Sequence, residues 1–200
     1  SAGADLNWMK RASAFGEAEN LADARRFARM LRALSDMSKP TIARVQGAAL
    51  GGGTGLAAAC DMAVAASDAV FSTSEVKFGI IPSVISPYVL RAVGPRHALR
   101  FFQSAERVSA ERALAIGLVG EVVAVEALDA AVAALADTLI AGAPQAQKAA
   151  KDLIAAVTGR PIDDAVSEET AQRIARQRAT DEAKDGIAAF LEKRQPAWLL

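Results

Sequence analysis

The run Gly51-Gly52-Gly53-Thr54-Gly55 and the solitary carboxylate Glu75 are the residues whose types and setting best suit chemistry. Consecutive glycines ahead of a helix leave backbone N–H groups uncovered by side chains, and a helix start adds a partial positive charge of about half an elementary unit. Any atom gaining negative charge is favoured there. A dinucleotide fingerprint would need the G-x-G-x-x-G spacing and an acidic residue after the next strand, and the match is poor. A phosphate loop would need a Lys after its last glycine, and none follows. Two readings stand: an oxyanion hole, which needs only bare N–H donors aimed at one point, and a tight strand-to-helix turn with no chemistry. Glu75 lies in Phe71-Ser72-Thr73-Ser74-Glu75-Val76-Lys77-Phe78-Gly79-Ile80-Ile81-Pro82, among small and apolar residues. Burial there would raise its pKa by desolvation and make it a proton shuttle near neutrality. An ion pair with Lys77 or Arg91 is the alternative.

These residues need elements to position them. Leu21, Ala24, Phe27, Ala28, Leu31 and Leu34 recur at helical spacing, which predicts an amphipathic helix over 20–34 ending near Ser38-Lys39-Pro40. Thr41-Ile42-Ala43-Arg44-Val45 then reads as a strand leading into the glycine cluster, with a helix from Leu56 to Cys60 beyond it. Short strands are expected at Met62–Ala66 and Val70–Ser72. Pro95 suits the first turn of a helix through Gln103, and Ser109 caps one stopping at Gly117. Gly142 and Gly159 mark the ends of helices beginning near Glu126 and Pro144, and two more cover 163–179 and 181–193. Strands and helices therefore alternate first, and helices alone follow, an α/β core with a helical appendage.

Two hundred residues, 52% hydrophobic, suffice for one sizeable core. Equal counts of 23 basic and 23 acidic residues give no net pull toward DNA or an anionic membrane. The arginines of the 20–34 helix suggest RNA, but Glu19, Asp23 and Asp36 interrupt them, and a solvated helix face is the better reading. The single Cys60 excludes an intramolecular disulfide and fits a reducing, cytoplasmic setting. No apolar run is long enough for a membrane span, and no signal peptide is recognisable. His97 has no second His or Cys at ligand spacing, so neither zinc nor a Ser-His-Asp triad is expected and no metal is assigned. Cys60 reads as a small buried hydrophobe and Asp61 as structural.

Together these residues carry a family resemblance. Ser1-Ala2-Gly3-Ala4-Asp5-Leu6, then Gln46-Gly47 through Gly53 with Cys60-Asp61, then Ser74-Glu75 through Pro82 occur in the order and spacing of the crotonase, or enoyl-CoA hydratase/isomerase, superfamily. Ser109 through Val119 and the ending Phe190 to Arg194 resemble its later signatures. The blocks Pro82–Pro87 and Arg194–Trp198 look most like the bacterial branch that hydrates methylglutaconyl-CoA and longer terpenoid-derived analogues. The resemblance implies a crotonase-type ββα spiral core over 1–140, partial because its N-terminal strands are missing, and a C-terminal helical trimerisation region over 141–200. It implies a homotrimer or dimer of trimers acting on an acyl-CoA, with coenzyme A as part of the substrate and no covalently bound cofactor.

Carried over by position, the resemblance places two oxyanion-hole N–H groups on Ala4 and Gly52 and the proton-transferring carboxylate on Glu75. Ala2, Asp5 and Leu6 would line the adenine pocket of CoA, and Phe190 and Lys193 would reach CoA from the C-terminal helix, often that of a neighbouring subunit. Trp8, Gly55 and Ser83 are assigned to the acyl pocket, although Trp8 equally suits a packing contact. One departure matters: typical hydratases carry a first Glu where Gly55 stands. A single Glu would serve a 3-enoyl to 2-enoyl isomerase; a hydratase would need another group, or a carboxylate on the substrate, to orient water; a protein that binds CoA thioesters without turnover is the third reading. The space beside Gly55 is expected to admit a branched acyl group. Family members also carry a further N-terminal region of about fifty residues, within the size of one domain. Without it a sheet edge is expected to be exposed and the first oxyanion segment to fray.

Overall fold

Short parallel strands with small side chains set the frame. The computed structural model describes residues 1–199. The β-branched run after Pro40 forms β1 (Ile42–Val45), which pairs in parallel with β3 (Met62–Ala66), Ile42 opposite Met62. On the other side of β3 lies β6 (Glu121–Val123), with Val64 opposite Glu121. A second sheet joins β2 (Ala48–Leu50) in parallel to β4 (Val70–Ser72), which pairs antiparallel with β5 (Val108–Ser109). Between the strands run α3 (Gly52–Ala59) and the long α4 (Ser86–Ser104). Glycine at 94, with φ +71°, breaks α4, and Pro95 opens its second half as the sequence predicts.

The core is alanine-rich. Ala57, Ala58 and Ala59 of α3 and Ala63, Ala65 and Ala66 of β3 are buried, alongside Leu31, Phe71, Val89 and Phe101. Short side chains let α3 lie close to the sheets, and the larger residues fill the remaining gaps. Asp61 is structural, as expected: its Oδ2 accepts the Thr41 N–H at 2.9 Å while its own N–H donates to Thr41 Oγ1 at 2.9 Å. That clasp ties the start of β1 to the end of α3.

The chain divides into two units, Ser1–Met37 with Thr41–Ala134, and Ser38–Pro40 with Leu135–Leu200. The division falls within α6 (Leu128–Ile140). The second unit continues with α7 (Pro144–Val157), α8 (Asp164–Arg178) and α9 (Asp181–Glu192), within two residues of expectation. Side chains cap these helices. Asp163 accepts the Val166 N–H at 2.9 Å, Thr180 accepts the Ala183 N–H at 3.1 Å, and the Glu182 carboxylate reaches across to take the Gln145 and Ala146 N–H groups at 3.0 and 2.8 Å.

Several details differ from the sequence reading. The glycine run is itself helical from Gly52, so α3 begins four residues before Leu56; tertiary bonds override the low helix propensity of glycine. Two helices precede β1, α1 (Leu6–Ala12) and α2 (Glu17–Ser35), the first of them unanticipated. Cys60 is half-buried at the end of α3 and not fully enclosed. Among the described residues no helix is long and apolar enough to cross a membrane, and no cluster of His, Cys, Asp and Glu is placed to hold a metal.

Candidate active site

Three parallel chain segments deliver the expected residues to one edge. The odd-numbered peptide groups of β2 face β4: Val70 N–H donates to Gly47 O at 2.9 Å and Gly51 N–H to Ser72 O at 2.8 Å. Groups of even number face the other way, and there Ser1 adds itself to β2: the Ser1 nitrogen donates to Ala48 O at 2.7 Å and Leu50 N–H to Ser1 O at 2.9 Å. This is the bonding of a parallel bridge. The carboxyl ends of the three segments therefore lead side by side to Ala4, to Gly51-Gly52 and, after β4, to Glu75.

Glycine is required at three positions of the central turn, for different reasons. Gly51 has φ +53° and ψ −115°, closed to side-chain-bearing residues on steric grounds. A Cβ on Gly53 would lie 2.8 Å from Ser1 Cβ, so only glycine lets the first segment pack this closely. A Cβ on Gly55 would lie 2.2 Å from Ile85 Cγ2. Beneath the turn Thr54 is fully buried, its hydroxyl donating to Ala49 O at 2.6 Å and lying 3.1 Å from Ser72 O. Thr54 thus locks the ends of β2 and β4 to the start of α3.

The turn leaves N–H groups free at its mouth. Gly51 N–H is bonded to Ser72, whereas Gly52 holds the first helical position, where no intrahelical acceptor exists. Among the described residues neither the Ala4 nor the Gly52 N–H donates to a protein acceptor. The ring of Phe27, from α2, covers Gly52: a Cβ there would meet Phe27 Cζ at 3.3 Å.

Glu75 opens a one-turn 3-10 helix, Glu75–Phe78, directly after β4. Thr73, fully buried, anchors the approach by donating to Phe101 O at 3.0 Å, and Gly79 ends the turn in the left-handed region. The carboxylate folds over Gly51, where a Cβ would meet Oε1 at 3.4 Å. Its Oε2 is buried without a hydrogen-bond partner. Burial pushes the Glu75 pKa above its ordinary 4.5, and its own backbone N–H opposes the shift more weakly. The ion pair with Lys77 or Arg91 does not form; Arg91 instead sits 5.9 Å from the Tyr88 ring.

Other assigned residues lie as follows. Asp5 caps α1, accepting the Trp8 N–H at 2.7 Å, so its carboxylate already has a structural task. Ala2 and Leu6 are exposed, Leu6 at 80%, and Trp8 is half-buried on α1. Ser83 is exposed, and its carbonyl accepts the Ser86 hydroxyl at 2.7 Å ahead of α4. Phe190 is 83% exposed on α9, and Lys193 ends that helix with φ +55°, within the second unit. The expectation for Gly55 is corrected: the hollow beside it is filled by Ile85, itself 2% exposed, so no acyl group enters there. Ile85, Phe27, Thr54 and Thr73 were not foreseen as site residues. Phe27 was legible as part of an apolar helix stripe, but nothing in the sequence pointed Ile85 at Gly55.

This arrangement of bare N–H donors beside a desolvated carboxylate can polarise a carbonyl oxygen and move a proton at the adjacent carbon. Comparison with known proteins agrees in kind. The family described as Enoyl-CoA hydratase/isomerase matches residues 1–199. Crotonyl-CoA hydratase of Syntrophomonas wolfei is 38% identical over 195 residues, 97% of this chain and 74% of the relative. Short-chain-enoyl-CoA hydratase of Clostridium acetobutylicum is 35% identical over 199 residues, 97% of this chain and 73% of the relative. The crystal structure of an enoyl-CoA hydratase from Shewanella pealeana superposes with a TM-score of 0.95 at 43% identity, covering 99% of this chain and 74% of that one.

Proposed function

The chain belongs to the enoyl-CoA hydratase/isomerase family, and from that premise we propose that it is a hydratase adding water to a 2-enoyl-CoA whose acyl group is branched and carboxylated, of the methylglutaconyl type. The observation that carries this reading is the half-buried Glu75 carboxylate, its Oε2 enclosed and without a hydrogen-bond partner, folded over the turn that presents the Gly52 N–H. The thioester oxygen would accept hydrogen bonds from Ala4 and Gly52. Loss of one such donor typically costs about 3 to 4 kcal/mol of transition-state stabilisation.

Hydration at this site proceeds in two balanced steps. Glu75 takes a proton from water as the water oxygen bonds to C3; the C2–C3 π electrons move toward the thioester, and the oxygen becomes an enolate oxyanion held by the two N–H groups. Glu75 then returns the proton to C2 as the carbonyl re-forms. A base is needed at the start, so burial of Glu75 moves the acid limb of the rate profile upward from where an ordinary Glu would place it, with activity gained as pH rises through it. CoA would be held at its adenine by Ala2 and Leu6; Phe190 and Lys193 would serve a CoA bound by a neighbouring subunit, Lys193 as a flexible point charge for a phosphate. Asp5 would support the first of these segments through its cap on α1.

A trimer or dimer of trimers belongs to this proposal. Its support is the apolar surface of the second unit, where Ile154, Ile162, Phe190 and Leu191 are 65, 95, 83 and 72% exposed. Phe190→Asp is expected to reduce the assembly to monomers in sedimentation velocity; an unchanged oligomer would contradict that part. The single carboxylate also favours a second reading, isomerisation of a 3-enoyl-CoA, in which Glu75 removes a proton from C2 and delivers it to C4. One assay separates them. Hydration removes the absorbance of the conjugated enoyl thioester, whereas isomerisation creates it from a 3-enoyl-CoA. Purified protein tested on linear, branched and carboxylated enoyl-CoAs is expected to bleach the carboxylated branched substrate fastest. No bleaching of any of them overturns the hydratase, and absence of both changes leaves a binding protein.

A further inference from the structure

Gly51, the residue before α3, and Gly55 in its first turn are four residues apart and joined by the Gly55 N–H to Gly51 O bond of 3.2 Å. Over the first glycine folds the Glu75 carboxylate; into the hollow at the second packs Ile85, whose Cγ2 and Cβ lie 2.2 and 2.7 Å from where a Cβ on Gly55 would stand. A turn of helix is about 5.4 Å long. The position best placed to offer a second polar group beside Glu75 is therefore occupied by aliphatic carbon. Glu75 Oε2 accordingly has no hydrogen-bond partner. Nearby polar side chains are already engaged: Thr54 faces Ala49 and Ser72, Thr73 faces Phe101, and Asp5 caps α1.

Addition of water at C3 requires two things of the site, a base for the water proton and an acceptor that fixes the direction of the oxygen lone pair toward C3. Resting on the hydratase reading, we propose that Ile85 is a specificity-determining residue: by filling the hollow at Gly55 it holds the site to one protein carboxylate, so that the carboxylate carried by the acyl group orients the attacking water. Substrates lacking that carboxylate bind but add water slowly. Bonds and protons balance as in the two steps above, since the substrate carboxylate accepts a hydrogen bond and is not itself protonated.

Two routes put a protein carboxylate back into the hollow. Gly55→Glu with Ile85→Gly supplies it from α3 and removes the clash; Ile85→Asp supplies it from the residue before α4, whose side chain already points at Gly55. The measurement is the ratio of kcat/KM for a carboxylated enoyl-CoA to that for the same enoyl-CoA with a methyl group in place of the carboxylate. Exchange of the C2 protons of a saturated acyl-CoA with D2O, followed by NMR, reports Glu75 separately, because it needs no water addition. Wild type is expected to favour the carboxylated substrate on the order of 100-fold, the scale on which a misplaced reactant slows a reaction. Both variants are expected to lose most of that preference through faster hydration of the uncharged substrate, while C2 exchange persists. A wild type with no preference, or an exchanging variant that keeps the full preference, overturns the role of Ile85 while leaving the hydratase standing. A wild type that exchanges C2 protons yet hydrates neither substrate overturns the hydratase reading itself.

Discussion

The unit that contains the strands encloses a large apolar core, whereas the unit that contains the last three helices encloses almost none. In the first, alanines, Phe71, Phe101, Leu31 and Val89 are enclosed, and the enclosure supports a glycine turn with φ +53° and a carboxylate without a counter-ion. In the second, Val166 and Ala189 are the only fully buried hydrophobics among the described residues, while Ile140, Ile154, Ile162, Ile187, Phe190 and Leu191 stand more than half exposed. That unit relies on caps and ion pairs, including Glu182 at the start of α7 and Glu169 between Arg160 and Arg173. Burial in the strand unit is tight enough to bear the cost of a desolvated acid; the helical unit offers its apolar residues outward. Exposed ion pairs contribute little each, about 0 to 1 kcal/mol, so the two units should respond very differently to the same kind of substitution.

The largest response is expected at the acid. Glu75→Gln keeps size and shape but removes the base, and should lower kcat on the order of 100- to 10,000-fold with the fold retained by circular dichroism. Next comes packing. Gly55→Ala drives a methyl into Ile85, which is held by the start of α4, and is expected to destabilise by about 1 to 3 kcal/mol in urea unfolding. The matched change in the helical unit, Gly186→Ala, meets only the outer edge of the Trp198 ring, at 2.7 Å. The ring must shift against its long Nε1–H bond to Ala141 O, at 3.3 Å, and helix propensity returns about 1 kcal/mol, so stability should change by less than about 1 kcal/mol while Trp198 fluorescence shifts. Equal losses at the two glycines would erase the contrast between the units.

The smallest effect is one of pH. Burial raises the Glu75 pKa in the folded state, so ionisation opposes folding. Its favourable contribution is complete below the ordinary value of 4.5 and is lost as pH rises through the raised one. Glu75→Gln should therefore be the more stable protein at neutral pH, and its advantage should vanish in acid. Melting curves across that range test the sign; a variant less stable at neutral pH would show that the carboxylate is held by a partner.

The parts that chemistry demands were the parts most legible in the sequence. Glu75 stood out because a lone acid among small and apolar residues is unusual, and the glycines stood out because they left N–H groups bare. Helices after Pro144 were readable from their caps, since Asp163 and Thr180 act locally. What escaped were features made across the chain. Strands β2 and β5 have three and two residues, too short for a periodic signal, and exist because neighbours pair with them. The helical state of Gly52-Gly53 depends on the Gly51 bond to Ser72 and on Thr54, not on propensity. Gly55 showed that a side chain was missing but not what fills its place; that required knowing where Ile85 comes to rest.

The central claim is that Glu75, acting beside the Ala4 and Gly52 N–H groups, moves the proton at C2. The most direct test is hydration in D2O of a carboxylated, branched enoyl-CoA by wild type and by Glu75→Gln, with deuterium at C2 of the product counted by mass spectrometry. Wild type should form the hydrated product with one deuterium at C2, and Glu75→Gln should bind the thioester yet form neither product nor label. Hydration and C2 labelling by Glu75→Gln at the wild-type rate would contradict the account.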